Sequence, residues 1–346
     1  MTPYRVGIVG SGFGGRVHAP GFSLHPQFDP VAIASPNSAQ KVATERKIPH
    51  AFPSLDAMLE KMGSEIDVIA IASPPFEHHK AVMTAIAAGK HVLCEKPVST
   101  RLAEAEEMTA AAAKAGIANA ITFEYRYNPA LQALKELIDN DHMPKLRLIE
   151  VTRFGRDMVA DNARPPSSWW YDKSKGGGLG NAFMPHIVDL ALWLGGGAAK
   201  SSYGFLRTAN PVRTAPDGST YPSNVADGCY AFSDLGNGLV AQMKVDGTMS
   251  MDQSTVAVHA EGRTAVASGP ALTDFTLYII DGDDSSEYEL KPMKYAKYAN
   301  VFYSIPHFMA LLDDFAERIA TGGGNCPTFA DGLAAQRVLH AIGYEA

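Results

Sequence analysis

A glycine-rich turn near the start of the chain has the first spacing with a chemical meaning. Residues 10–15 read G-S-G-F-G-G and fit G-x-G-x-x-G through Gly10, Gly12 and Gly15. The turn follows an apolar run at residues 6–9 and opens a predicted helix, which is the context that the pattern requires. Gly10 allows the tight turn, Gly12 lets the backbone approach a pyrophosphate, and Gly15 lets helix and strand pack closely. The turn therefore predicts dinucleotide binding, with the phosphates at a helix N-terminus.

The residues at the end of the second predicted strand bear on which dinucleotide binds. NAD-binding forms usually have an Asp or Glu about 20 residues after the glycines, which bonds the ribose 2′-hydroxyl. Here that strand ends at Ser35, and no acidic residue follows until Glu45. Ser35 and Asn37 could donate to a 2′-phosphate, while Lys41 or Arg16 could balance its charge. The pattern favours NADP over NAD; in the alternative, Ser35 only caps a turn and either cofactor is used.

The elements that must position this turn alternate between strands and helices. Four continuous apolar runs are typical of strands buried on both faces of a parallel sheet: residues 6–9, 31–34, 68–72 and 91–94. Helices are predicted over residues 54–62, 76–88 and 102–115, the last two closed by Gly89 and Gly116. This alternation predicts an α/β Rossmann domain, a doubly wound parallel sheet over residues 1–122.

The pattern changes after about residue 145, where strands follow one another with short turns such as Gly236-Asn237-Gly238. Strands are predicted over residues 146–154, 228–233, 239–246, 255–260, 264–268 and 275–280, with a helix over 307–321. Connections this short imply antiparallel pairing. Residues 123–346 are therefore predicted to form an α+β substrate-binding and oligomerisation domain with a large, mostly antiparallel open sheet.

Composition excludes several other classes. The 346 residues include 30 basic and 37 acidic side chains, a net charge of −7, which disfavours nucleic-acid binding. Three cysteines do not make a disulfide framework, so a reducing compartment is expected. No run approaches the roughly 18 apolar residues of a membrane span, and no secretory signal pattern is present. We expect a cytoplasmic protein that binds neither membrane nor nucleic acid.

Several motifs, taken together in order, resemble those of the Gfo/Idh/MocA family of oxidoreductases over essentially the whole chain. They are the glycine turn, Ser73-Pro74 with His78 downstream, Cys94-Glu95-Lys96-Pro97, Tyr125-Arg126-Tyr127-Asn128-Pro129, and Gly176-Gly177-Gly178 leading to His186 and Asp189. The resemblance implies a nicotinamide cofactor. The residues expected to contact it are Gly10, Gly12, Phe13, Gly14, Gly15, Ser35, Lys41, Ser73, Pro74, His78, Glu95, Lys96 and Arg126.

In this family the lysine of the Glu-Lys-Pro motif lies beside the nicotinamide and contacts the reacting oxygen, which assigns that role to Lys96. An ammonium there can stabilise a developing alkoxide or transfer a proton. Pro97 is expected to fix the loop, and a cis peptide bond is plausible there. His186 matches the second catalytic position and could bond a substrate hydroxyl or exchange its proton. Asp189, three residues further along the same helix, could orient the imidazole.

The sequence departs from the family pattern ahead of His186. Many members have Asp-x-Gly-x-His, but Ala182 and Met184 stand in the Asp and Gly positions here. The resemblance is thus to a branch without that Asp, and oxidation of sugar alcohols by the commonest family mechanism is in doubt. Asn181 is expected to replace part of the missing function as a neutral hydrogen-bonding partner of the substrate.

Two further residues, Arg126 and Trp170, each allow two structural interpretations. Arg126 is expected in or under the nicotinamide pocket, or else in an ion pair that bridges the domains. Trp170 could line a sugar-sized pocket, although core packing or an oligomer contact is an equal alternative. The pairs His186/Asp189 and His78/His79 lack the further ligands that a metal site needs, so no metal is expected.

The leading hypothesis is a dehydrogenase or reductase that acts on CH–OH groups of a sugar, cyclitol or related polyol. Its catalytic residues are Lys96 and His186, and its substrate-binding residues are Lys96, Trp170, Asn181 and His186. One alternative is an NAD-dependent glycoside hydrolase that works by transient oxidation, and another is a sensor of the same fold without turnover. By analogy with the family, a homodimer or homotetramer is expected.

Overall fold

The computed structural model describes residues 2–159, 168–215 and 217–345. The chain forms two compact units. The first contains Met1–Ser99, Ala103–Glu124 and Lys294–Leu333; the second contains Thr100–Leu102, Tyr125–Met293 and Ala334–Ala346. Helix α10, Phe329–Ala341, is divided between them.

A six-stranded sheet forms the first unit, with every neighbouring pair parallel and the order β3-β2-β1-β4-β5-β6. Its strands are β1 Tyr4–Val9, β2 Phe28–Ala34, β3 His50–Phe52, β4 Val68–Ile71, β5 His91–Cys94 and β6 Asn119–Ile121. Strand β4 is buried at all four residues, as its unbroken apolar run predicts. The strand order reverses between β1 and β4, where open α/β sheets bind ligands.

Helices connect and cover this sheet. A π-helical turn, Gly14–His18, leads into α1 Ala19–Leu24; α2 Ala39–Arg46, α3 Leu55–Met62, α4 His78–Ala87, α5 Leu102–Ala115 and α9 Ile305–Thr321 follow. Ser54 caps α3 by accepting a hydrogen bond from the Ala57 amide, and Gly89 and Gly116 adopt left-handed conformations just after α4 and α5. Helices α4 and α5 therefore end within one residue of the predicted positions.

An eight-stranded sheet dominates the second unit, in the order β16-β15-β14-β13-β7-β12-β11-β8. Its strands are β7 Leu148–Phe154, β8 Ser201–Arg207, β11 Gly228–Gly236, β12 Leu239–Asp246, β13 Gln253–Ala260, β14 Arg263–Ala271, β15 Asp274–Asp281 and β16 Asp284–Glu287. A separate hairpin pairs β9 Val212–Thr214 with β10 Thr220–Pro222. All neighbours in the large sheet are antiparallel except β7 and β12.

Helix α8, Met184–Gly195, covers the central strands β7 and β12, while α6, Pro129–Asp139, lies against β14 and β15. The short helix α7, Leu179–Ala182, precedes α8. Strand β12 alternates between buried and less buried residues, as expected for a sheet with one covered face. The fully buried residues Ile149, Met243 and Ile187 belong to this core.

The predicted fold class is confirmed: a doubly wound parallel sheet and a large, mostly antiparallel sheet. The division into domains at residue 122 stays a prediction. Lys294–Leu333, which the sequence assigned to the second domain, clusters with the first unit because α9 packs on α1. There a Cβ on Gly21 would lie 2.5 Å from the ring of Phe308.

None of the helices in the described part of the chain is both long and apolar enough to cross a membrane.

Candidate active site

The glycine turn leaves β1 with the geometry that a dinucleotide requires. Gly10 has a φ of +100°, and a Cβ there would lie 2.4 Å from the carbonyl oxygen of Ala72, so only glycine fits. A Cβ on Gly12 would meet nothing within 4 Å, which leaves open space over its backbone. The turn is closed on the protein side and open on the other. It can therefore hold the pyrophosphate of a nicotinamide dinucleotide.

The structure corrects the packing role of Gly15. A Cβ on Gly15 would lie 2.9 Å from Cγ1 of Val42 in α2, so this glycine admits a neighbouring helix. A Cβ on Gly14 would lie 3.0 Å from Cγ2 of Ile8, so Gly14 is the residue that lets the turn approach β1. The ring of Phe13 packs edge-on against Phe302, with 6.4 Å between centroids.

Three serine hydroxyls meet beside the turn, at the ends of β1 and β2. Ser11 Oγ lies 2.6 Å from Ser38 Oγ and 3.1 Å from Ser35 Oγ, and the last two are 3.2 Å apart. Ser35 was expected here from the sequence, whereas Ser11 and Ser38 were not. A hydroxyl inside the glycine motif is the signal that could have revealed Ser11. Lys41 is 77% exposed, with its Nζ 3.9 Å from Glu45 Oε1.

The loops after β4 and β5 lie side by side with the glycine turn, because the carboxyl ends of parallel strands share one edge of a sheet. The Ala72 amide donates to Val9 O at 2.7 Å, and the Glu95 amide donates to Ile71 O at 2.8 Å. Ser73 and Pro74 continue β4, and Lys96 follows β5. The sheet of the first unit thus brings these expected cofactor residues to one edge.

Glu95 is 7% exposed and paired with a histidine that sequence reasoning missed, His18. His18 Nε2 lies 2.9 Å from Glu95 Oε1, and the backbone amide of Lys96 donates to Oε2 at 3.3 Å. Burial raises the pKa of Glu95, but His18, Lys96 and Thr122 together hold that pKa below its usual value. Glu95 is therefore a buried carboxylate held beside Lys96.

His78, which the sequence assigns to cofactor contact, lies between two backbone carbonyls. Its ring is fully buried, with Nδ1 2.9 Å from Pro97 O and Nε2 2.9 Å from Ser73 O. Both ring nitrogens face backbone carbonyls, so the ring joins the loop after β4 to the loop after β5. The expected contact of His78 with cofactor stays a prediction.

The loop around Lys96 has the expected backbone form, since the Lys96–Pro97 peptide bond is cis. Lys96 is partly exposed while Glu95 and Pro97 on either side of it are buried. Cys94 is buried, and burial raises the pKa of its thiol well above the usual value, which does not suit a nucleophile. Lys96 is thus the accessible member of this motif.

In the second unit, His186 lies in the first turn of α8 and is 2% exposed. Its ring packs on Tyr125, with 4.4 Å between centroids. Asn181 in α7 is 3% exposed; its Nδ2 donates to Gly176 O, and its buried Oδ1 has no hydrogen-bond partner among the described residues. A buried amide oxygen of this kind can accept a hydrogen bond from a hydroxyl.

Arg126 binds Asp189 in a two-pronged ion pair, with Nε to Oδ2 at 2.9 Å and Nη2 to Oδ1 at 2.5 Å. Both residues belong to the second unit, so the pair does not bridge the two units. The guanidinium also lies 5.6 Å from the ring centre of Trp193. Both oxygens of Asp189 are engaged by Arg126, and the orientation of the His186 ring by Asp189 stays a prediction.

Trp170 is 9% exposed, and its Nε1 donates to the sulfur of Met158 at 3.4 Å. This burial favours the packing alternative over a sugar-binding surface. Among the described residues, no group of three or more His, Cys, Asp or Glu side chains is placed to hold a metal ion.

A parallel sheet with this order, an open glycine turn at its reversal point and a lysine after β5 define a dinucleotide-binding protein of the Rossmann type. Residues 4–123 match the model of an oxidoreductase family with an NAD-binding Rossmann fold, GFO_IDH_MocA, and residues 131–266 match the GFO/IDH/MocA C-terminal domain. The chain belongs to the Gfo/Idh/MocA family of oxidoreductases.

Two named relatives are dehydrogenases. UDP-N-acetylglucosamine 3-dehydrogenase of Acidithiobacillus ferrooxidans is 26% identical over 99% of this chain and 96% of its own length. Levoglucosan dehydrogenase of Pseudarthrobacter phenanthrenivorans is 28% identical over 57% of this chain, and the match spans about half of that relative, 52%. A solved levoglucosan dehydrogenase in complex with NADH covers 99% of this chain and 96% of its own, with a TM-score of 0.84 and 23% identity, which shows a shared fold.

Proposed function

We propose that this protein is a nicotinamide-dependent oxidoreductase that interconverts a carbinol and a ketone on a sugar, cyclitol or related polyol. The observation that carries the proposal is the position of Lys96. It follows β5 at the sheet edge that also bears the glycine turn, and its two sequence neighbours are buried. When bound, the nicotinamide accepts or supplies the hydride. The chain must then provide the proton chemistry at the substrate oxygen.

Lys96 is assigned this proton chemistry. Its Nζ stabilises negative charge on the reacting oxygen and donates or accepts the proton as the carbonyl is reduced or the hydroxyl oxidised.

His186 and Asn181 are assigned to binding of the substrate. The imidazole is fixed against Tyr125 and can donate to or accept from a hydroxyl, while the buried Oδ1 of Asn181 can accept from a second hydroxyl. Asn181, one residue before the alanine in the family's Asp position, is assigned part of the function of that missing acid. Trp170 is retained only as a residue that supports this region by packing.

The preferred cofactor is proposed to be NADP, with NAD as the alternative. The end of β2 has no carboxylate to repel a 2′-phosphate, and three hydroxyls, those of Ser11, Ser35 and Ser38, meet there. Lys41 at the start of α2 is exposed and available to balance the phosphate charge.

The sugar class of the substrate is supported by the relatives, one of which is named for levoglucosan and another for UDP-N-acetylglucosamine. We also propose a homo-oligomer, dimer or tetramer. Tyr203, Phe205 and Phe232 are 68%, 59% and 49% exposed on the adjacent strands β8 and β11. Aromatic side chains exposed together in this way mark protein–protein contacts.

Lys96→Ala tests the proposed function, with Lys114→Ala on the exposed face of α5 as a matched control. Levoglucosan, UDP-N-acetylglucosamine and myo-inositol are assayed by the absorbance of the reduced nicotinamide, and cofactor binding is measured by fluorescence titration. Lys96→Ala is expected to lower kcat by about 10²- to 10⁴-fold with cofactor affinity retained. Full turnover in Lys96→Ala would show that the assignment of this residue is wrong.

A further inference from the structure

We propose that His18 and His78 are positioning residues that fix Lys96 from both sides, although neither touches the substrate. The proposal rests on the proposed function, because it assumes that Lys96 acts on the reacting oxygen. Both histidines are fully buried, and their proposed role is to hold the backbone on either side of Lys96.

His18 is held rigidly by aromatic rings of the first unit. It is fully buried, stacks on Phe308 with 4.8 Å between centroids and 21° between planes, and meets Phe22 edge-on at 6.0 Å. It is also the last residue of the π-helical turn that begins at Gly14. Its imidazole is therefore fixed relative to the glycine turn.

Glu95 transmits this fixed position to Lys96. One carboxylate oxygen lies 2.9 Å from His18 Nε2, and the other accepts a hydrogen bond from the backbone amide of Lys96. The side chain of His18 is fully buried and that of Glu95 is 9% exposed, so a break in this contact would leave a largely buried charge. His18 thus determines where the chain enters Lys96.

His78 fixes the position where the chain leaves Lys96. Its two ring nitrogens lie 2.9 Å from Pro97 O and 2.9 Å from Ser73 O, so the imidazole ties the loop after β5 to the loop after β4. Burial lowers the pKa of His78, against an opposite effect of the two carbonyls that its ring faces.

The consequence is that the backbone around Lys96 is held on both sides of this residue. Proton transfer depends steeply on such placement, since a shift of about 1 Å can cost about 10²-fold in rate. The two histidines should therefore affect kcat much more than binding of cofactor or substrate.

Two substitutions at one position separate the hydrogen bond of His18 from its packing. His18→Gln keeps an N–H donor for Glu95 but loses the ring, whereas His18→Phe keeps the stacked ring but loses the donor. Because His18→Phe leaves the charge of Glu95 buried, His18→Phe/Glu95→Gln is made as well, in which that charge is absent. All are purified as full-length chains and compared with wild type and Lys114→Ala.

We expect His18→Phe, alone or with Glu95→Gln, to lower kcat by about 30- to 100-fold. The Kd for NADPH should stay within about threefold, and KM for the sugar should stay within a similar range. His18→Gln should recover at least a third of the wild-type kcat. If His18→Gln is the impaired variant and His18→Phe is not, or if kcat and cofactor Kd change in parallel, the role of His18 is packing and the proposal is wrong.

A readout without substrate comes from labelling of lysines with acetic anhydride, quantified by peptide mass spectrometry. His18→Phe and His78→Leu should raise the labelling rate of Lys96 at least threefold relative to Lys114 in the same molecule, because the loop is released. Unchanged labelling of Lys96 in both variants would contradict the proposal.

Lys96→Ala separates the two proposals. If it keeps full turnover, the proposed function fails at Lys96 whatever the histidine variants do. If it is inactive while His18→Phe and His78→Leu match wild type in kcat and in Lys96 labelling, only the positioning proposal fails.

Discussion

Arg126 and Asp189 are joined by two hydrogen bonds within the second unit, and both side chains are almost completely buried. Arg126, which the sequence assigns to the nicotinamide pocket, is therefore bound by Asp189, which the sequence assigns to orienting the His186 ring. The pair connects the turn before α6 to the first half of α8, the helix that contains His186 in its first turn.

Asp189→Asn should destabilise the protein because it leaves the Arg126 guanidinium buried without its counter-charge. The expected loss is about 3–5 kcal/mol in the free energy of unfolding, measured by urea denaturation. The double variant Arg126→Met/Asp189→Leu removes both charges and should recover most of that loss. A loss below about 1 kcal/mol in Asp189→Asn would mean that the pair contributes little.

Gly10→Ala and Gly12→Ala should impair different properties, the first stability and the second dinucleotide affinity. An alanine at Gly10 would meet the Ala72 carbonyl at a positive φ and should cost at least about 2 kcal/mol in unfolding free energy. An alanine at Gly12 meets no protein atom within 4 Å, so stability should change by less than about 0.5 kcal/mol. Dinucleotide affinity should nevertheless fall at least tenfold in Gly12→Ala, as measured by fluorescence titration. Unaltered affinity would place the pyrophosphate elsewhere.

The sequence predicts best what depends on local pattern. The continuous apolar runs of β1, β4 and β5 and the glycine that follows α5 specify their elements within a few residues. The hairpin between β11 and β12 follows from three successive residues suited to positive φ, Gly236 to Gly238. The edge strands β3 and β6 have only three residues each, too few to show a period.

Contacts between residues far apart in the chain were beyond prediction. The Glu95–His18 contact spans 77 positions and the Arg126–Asp189 pair spans 63. The local sequence around each of these residues does not indicate which residue it binds. The family resemblance assigns His78 to cofactor contact, and it does not show that the ring lies between two backbone carbonyls. Residue type and spacing locate a site, whereas the direction of a buried side chain depends on packing.

Ser35→Asp should convert the proposed preference for NADP into a preference for NAD. A carboxylate at the end of β2 repels a 2′-phosphate and can accept from a ribose 2′-hydroxyl. The Kd for NADPH should rise at least tenfold while that for NADH stays the same or falls. Thr44→Asp, on α2, is the matched control for added negative charge. Tighter binding of NADH than NADPH by the wild-type protein would reverse the assignment of cofactor.

Phe205→Glu should weaken the proposed homo-oligomer. Phe205 is 59% exposed and stacks on Tyr230 with 5.0 Å between centroids, so a carboxylate there would place charge in the proposed contact. Light scattering coupled to size exclusion should give a dimer or tetramer for wild type and a smaller species for the variant. Val301→Glu, at an exposed apolar residue of the first unit, should not change the mass. A monomeric wild type at micromolar concentration would remove the oligomer proposal.

His307 should make the protein less stable in mild acid. It is 3% exposed in α9, and burial lowers its pKa from an ordinary 6.5 to about 4, against a smaller opposite effect of the Tyr303 backbone. Because the folded pKa lies below the unfolded one, the unfolded chain binds the proton first as the pH falls. The contribution is complete above about pH 7.5 and is lost as the pH falls through 6.5 toward 4.

The expected loss from this one residue between pH 7.5 and pH 5 is about 2 kcal/mol in the free energy of unfolding. His307→Leu should remove that part of the pH dependence, so urea denaturation of the variant should show a correspondingly smaller change over this range. His50→Leu, at an exposed histidine, is the control and should follow the wild-type curve. If the wild type and His307→Leu lose stability in parallel from pH 7.5 to pH 5, His307 accepts its proton in the folded state and its burial carries no such cost.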